Sequence, residues 1–193
     1  MKLPLSLASL VSMALLVASC RDEPMPAIQV TLGSGREQTV TFVPRSAFAE
    51  YVSLPTSGNE LRITLTSTST SCENFAPVPE GQWQVTVVAI TPEGQVPGVG
   101  TYPWVGHEAH GGTPAKPKLA YSMPHVRFGS RGYPLPPGGN MELTQVGLGR
   151  HGTVKGLLRF EQPGAVDQPA TRLFGSFLAH VCRTTVDMPA ETH

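Results

Sequence analysis

Cysteine is scarce in this chain: 3 in 193 residues, too few for a fold held together mainly by disulfides. Neither sign of charge prevails, since Lys plus Arg and Asp plus Glu each number 14. There is no basic surplus of the kind that neutralises phosphates, so nucleic acid is not an expected partner. Aromatic residues make up 7%. No apolar run reaches the roughly 20 residues that a membrane-spanning helix needs. No window carries a 3.6-residue apolar stripe, and a short segment around Ser46 to Val52 is the one helix candidate. There is no G-x-S-x-G nucleophile elbow and no glycine-rich loop opening a helix onto a phosphate. The expectation is therefore a non-enzymatic protein without a cofactor.

Glycine (20) and proline (19) are plentiful instead. Proline is kept out of helix interiors and central strands, so it marks turns and edges. Between these breaks, strand signals recur. Ile28, Val30 and Leu32 alternate with Gln29 and Thr31. Leu61, Ile63 and Leu65 alternate with Arg62, Thr64 and Thr66, the pattern of a strand with one buried face. Trp83 to Ile90 is the strongest strand signal, followed by Val99 to Trp104, Leu119 to Phe128, Met141 to Val146, Gly152 to Glu161 and Leu173 to Val186. Leu119 to Phe128 is weakened by Pro124, and the apolar residues on both faces of the last segment suggest a central strand. Gly147-Leu148-Gly149-Arg150 reads as a hairpin turn. The stretches 105–118 and 129–140 are rich in Gly and Pro and read as loops. Many short strands with Gly/Pro turns predict an all-β fold, an antiparallel β-sandwich that Greek-key connections would suit.

The first residues follow different rules. Lys2 is the one charge before Arg21, and Leu3 to Val17 is apolar but too short to cross a bilayer. A positive start, a short apolar core and small residues at its exit are the parts of a secretory signal. The exit reads Val17-Ala18-Ser19-Cys20 and resembles the bacterial lipobox at all four positions. The resemblance implies that diacylglycerol is joined to the Cys20 thiol, that the chain is cut before Cys20, and that the new amine is acylated. A leader cut near Ala18 or Ser19 would instead leave Cys20 as a bare thiol, a liability in an oxidising compartment. One acyl chain anchors marginally, whereas two or more hold stably. Arg21, rather than Asp, follows the cysteine. By the enteric sorting rule this favours the outer membrane over the inner.

Segment 1–19 is thus expected to be a lipoprotein signal peptide, 20–26 a lipidated cysteine with a short tether, and 27–193 one β-sandwich domain. With Cys20 lipidated, Cys72 and Cys182 remain for one disulfide. That bridge would close a loop of about 110 residues, worth about 4–5 kcal/mol in the chain-entropy description. Two buried free thiols are the alternative. Cys72 after a Ser/Thr-rich strand, Gly100-Thr101-Tyr102, Gly152-Thr153-Val154, and Gly175-Ser176-Phe177 running to Cys182 resemble uncharacterised β-sandwich lipoproteins of Gram-negative, myxobacteria-like bacteria. That resemblance implies a fold and no activity.

Candidate chemistry is sparse. His107 and His110 flank Glu108 in a Gly-rich loop and could offer two ligands to Zn or Cu. A site needs three or four ligands, so a solvated polar loop is the simpler reading and no metal is expected. His125, His151 and His180 are dispersed. Tyr102, Trp104, Tyr121 and Tyr133 lie in or near the two Gly/Pro-rich stretches. They could stack on a ligand or anchor a partner, or else cover the ends of the core. The leading expectation is a membrane-anchored envelope lipoprotein whose domain binds or scaffolds, with an envelope protein or a glycan as partner. The alternatives are a small envelope metal-binding protein or hydrolase using His107 and His110, and an accessory lipoprotein of a secretion or surface assembly. The last rests on fold analogy.

Overall fold

The computed structural model describes residues 26–34, 36–54, 58–71, 79–105, 119–135, 137–149, 151–162 and 171–186. The leader, the lipobox with Cys20, and Cys72 lie outside these residues. The fold is all-β, with no helix among the described residues. Among the described residues eleven strands form it: β1 (Ile28–Ser34), β2 (Arg36–Phe42), β3 (Ser46–Leu54), β4 (Gly58–Thr66), β5 (Trp83–Thr91), β6 (Gly100–Pro103), β7 (Tyr121–Phe128), β8 (Arg131–Pro134), β9 (Asn140–Val146), β10 (Thr153–Gln162) and β11 (Thr171–Val186).

Hydrogen bonding joins all eleven into one sheet in the order β6-β9-β10-β11-β3-β4-β5-β7-β8, with the β1–β2 hairpin attached to β11. The expected two-layer sandwich gives way to a single sheet that curls on itself. Its two ends meet: the Ser122 hydroxyl on β7 donates to the Tyr102 carbonyl on β6 at 2.7 Å. The Trp104 indole N–H donates to the Leu135 carbonyl just after β8 at 3.1 Å. The curl does what a second sheet does in a sandwich, giving the apolar faces a common interior. Leu61, Ile63 and Leu65 of β4, Val85 and Val87 of β5, Met141 and Leu143 of β9, and Leu158 and Phe160 of β10 are all fully buried in it. Each such side chain stabilises the fold by about 1.5–3 kcal/mol relative to an exposed one.

β11 occupies the centre. One edge pairs with β10 from Thr171 to His180. The other edge is shared: β1 pairs antiparallel with Arg172–Gly175, and β3 runs parallel to His180–Val186. The strand is central, as expected, but its two faces differ. Leu173, Phe177, Ala179 and Val181 point into the core, while Arg172, Phe174 and His180 are exposed.

Two expectations fail for physical reasons. Segment Ser46 to Val52, the helix candidate, is strand β3. Its residues Ala47, Ala49 and Tyr51 are buried and it pairs along its whole length with β4. Local preference is weak and cross-strand pairing overrides it. Stretch 129–140 is not all loop, because it holds β8. Gly129, at φ +56°, opens a two-residue turn between Phe128 and Arg131, which pair across the β7–β8 hairpin. β8 pairs with β7 alone and lies at the sheet edge, where its proline is tolerated. Pro124 survives within β7 because β8 reaches only His125–Phe128.

Two substitutions test this packing. Leu61→Ala should cost about 2–5 kcal/mol, seen as a lower urea midpoint with unchanged slope. Gly156 sits at a register shift between β10 and β9, and an added Cβ would lie 2.7 Å from the Phe177 ring and against the Glu142 carbonyl. Gly156→Ala should therefore destabilise by about 1–3 kcal/mol through overpacking, although alanine normally favours order.

Candidate functional site

The four aromatic candidates separate into two kinds. Tyr102 and Trp104 are 5% and 4% exposed and belong to the core, so they cannot meet a partner. Both polar tips are satisfied inside. The Tyr102 hydroxyl donates to the Gly98 carbonyl at 2.8 Å and accepts from the Gly98 N–H at 2.9 Å, and the Trp104 N–H is bonded as described above. Buried aromatics need such partners, and here the backbone supplies them. Tyr121 and Tyr133 are half-buried. Tyr133 joins an aromatic group at the end of the curl, its ring 6.2 Å from Trp83 with the Arg131 guanidinium 5.1 Å above it. Burial raises the Tyr102 phenol above its usual pKa. Burial, with Glu60 adding to it, raises that of Tyr121.

The histidines do not converge. His125, His151 and His180 are exposed on or beside three separate strands, and His107 and His110 lie outside the described residues. Among the described residues no group of three His, Cys, Asp or Glu side chains could hold a metal ion. Cys182 is half-buried on β11, at the place where the register with β3 shifts between Val181 and Arg183.

A different set of residues forms a concave surface. On the outer face where β10, β11, β1 and β2 lie side by side, a groove of about 300 Å³ is lined by Gln29, Thr31, Thr39, Glu161, Arg172 and Phe174. The ladder registers place these in two rows across four strands. One row runs Glu161, Arg172, Thr31, Thr39; the next runs Arg159, Phe174, Gln29, Thr41. At about 4.8 Å between strands, the rows are roughly 14 Å long. Thr31 is the floor, 8% exposed although its side chain is polar. Its hydroxyl lies 3.1 Å from that of Thr39. Phe174 stands in the second row and remains 44% exposed, unusual for a phenylalanine. Arg172 and Glu161 form an ion pair at 2.9 Å. Arg159 and Glu142 approach to 4.0 Å beside them.

Sequence reasoning missed this groove. Gln29 and Thr31 read as the wet side of one strand, and Phe174 as part of an apolar face. Nothing in the chain announces that residues so far apart become neighbours. The one local signal is Phe174, which lies on the opposite face from Leu173 and Phe177 and between the polar Arg172 and Ser176 of its own face.

No known family model, no curated protein and no solved structure matches the chain.

The raised Tyr102 phenol has a consequence at high pH. The folded state holds that proton more tightly than the unfolded chain, so its share of stability is intact below about pH 10 and falls as pH rises through the folded value. Tyr102→Phe should lower stability by about 1–2 kcal/mol at neutral pH, through the lost hydrogen bonds to Gly98. It should also shrink the alkaline loss, which urea midpoints on either side of pH ~10 would show.

Proposed function

We propose that this chain is an exported envelope lipoprotein, anchored through lipid on Cys20, whose all-β domain binds or scaffolds and does not catalyse. The observation that carries the reading is the tetrapeptide Val17-Ala18-Ser19-Cys20 behind a short apolar core. Arg21 after the cysteine favours the outer membrane. The position of the domain suits an anchor. β1 begins at Ile28, so the intervening chain, even fully extended, reaches about 25–30 Å from Cys20. The domain would sit close to the membrane surface. The groove on β1, β2, β10 and β11 is the binding surface this reading uses: it is open, polar, and floored by paired strands.

A Cys72–Cys182 disulfide belongs to the same proposal, since an exported chain meets oxidising conditions. Its support is the path of the chain after β4. Thr70 is tied to Ser46 twice, its N–H donating to the Ser46 hydroxyl at 2.9 Å and its carbonyl accepting from it at 2.9 Å. Ser46 opens β3, and Phe48, two residues on, lies beside His180 of β11. Thr70, two residues before Cys72 in the sequence, is thus held at the start of the strand that neighbours the one carrying Cys182.

Cell fractionation tests the anchor. The natural protein should sediment with membranes and require detergent for release, and Cys20→Ser should abolish the processed, detergent-dependent form. A natural chain recovered from the soluble fraction without detergent would sink the reading.

A further inference from the structure

We infer that the outer groove of β1, β2, β10 and β11 is a binding site for a neutral oligosaccharide. This rests on the binding-domain reading above and names the ligand class of that site. Four observations point to it together. First, the groove is charge-compensated. Arg172 is paired with Glu161 at 2.9 Å and Arg159 faces Glu142 at 4.0 Å, so an anionic or cationic ligand would have to separate an existing pair. Second, its polar groups both donate and accept. The Gln29 amide does both, the Thr31 and Thr39 hydroxyls do either, Arg172 donates and Glu161 accepts. A ligand covered in hydroxyls, each itself donor and acceptor, satisfies such a mixture.

Third, the polar groups surround a flat apolar surface, the Phe174 ring, 44% exposed. Sugar rings carry apolar C–H faces bounded by hydroxyls at their edges. An exposed aromatic takes the face while planar amide, carboxylate and guanidinium groups take the edge. Fourth, the groove runs across the faces of four paired strands. The β10–β11, β11–β1 and β1–β2 pairings already bond the backbone beneath the groove, and the open side among the described strands is the outer edge of β2, so an extended peptide could join a ladder only at the groove's end and not along its length. The floor is hydroxyl rather than aliphatic, which gives an acyl chain no apolar slot. The groove is shallow and open, so the affinity per sugar unit is weak and the binding unit is a chain of several rings.

The test uses the membrane-extracted protein in a zwitterionic detergent, because sugar-headed detergents would compete. Short oligomers of glucose and of N-acetylglucosamine, with a uronic acid oligomer as the acidic counterpart, are titrated by calorimetry. Neutral oligomers should bind, more tightly as they lengthen. Phe174→Ala should weaken binding at least tenfold, Phe174→Trp should retain it, and Gln29→Ala should weaken it several-fold. Val99→Ser, exposed beside β6, should change nothing. Unchanged urea midpoints in Phe174→Ala would show that the loss is local. Three results would overturn the proposal: no neutral oligomer binding at millimolar concentration, preference for the acidic oligomer, or binding indifferent to Phe174→Ala. Any of these in a protein that still fractionates with membranes would remove the sugar site and leave the anchored reading standing.

Discussion

The rest of the structure depends on β11 holding two partners along one edge. The strand is 16 residues long, about 50 Å at the usual rise, and none of its neighbours spans that length. β10 takes one edge. On the other, β1 takes the beginning and β3 the end. The β3 pairing is parallel, the one such pairing among the described strands. It joins the β3-β4-β5-β7-β8 run to the β6-β9-β10 run. Without it the chain would fall into two open sheets, each with an apolar face exposed to water. With it the sheet can curl until β6 reaches β7 and the faces enclose one core. The β1 and β3 pairings with β11 link the two ends of the described chain, so chain closure precedes their reward and folding should be slow.

Much of the fold was legible because burial on one face writes a period of two into the sequence. β4 shows both the signal and its limit: Leu61, Ile63 and Leu65 are buried as the alternation predicts, but of the opposite face only Arg62 is exposed, since Thr64 and Thr66 are buried too. Reading failed where the period was hidden. β3 presents alanines inward, which carry little apolar signal and favour helix, and only its partners β4 and β11 make it a strand. β8 contains Gly132 and Pro134, which mark a turn unless an edge position excuses them. The single curled sheet was not legible either, since one sheet and two produce the same alternation. The difference lies in which strands pair, and the β11–β3 junction leaves no local trace.

The site was less legible than the fold. Tyr102 and Trp104 stand in a predicted strand beside a Gly/Pro-rich stretch, which left partner contact and core cover both open; their neighbours β9 and the segment after β8, from later in the chain, bury them. The groove has the reverse history. Its residues are ordinary singly, and four strands drawn from both ends of the domain bring them together. Placement also ties the groove to the proposed anchor. Gln29 lies one residue into β1, the strand that follows the proposed tether, so a ligand held there would be held near the membrane surface. Binding and anchoring would then use the same short stretch of chain.

The account stands or falls on the chemistry of Cys20, and an intact mass of the protein taken from the membrane fraction, before and after reduction, tests it most directly. The expected result is a chain beginning at Cys20, heavier than its sequence by a diacylglycerol group and an acyl chain, that gains the mass of two hydrogen atoms when the reductant opens the Cys72–Cys182 bridge. A chain that begins elsewhere, or that begins at Cys20 with no lipid mass, would contradict it.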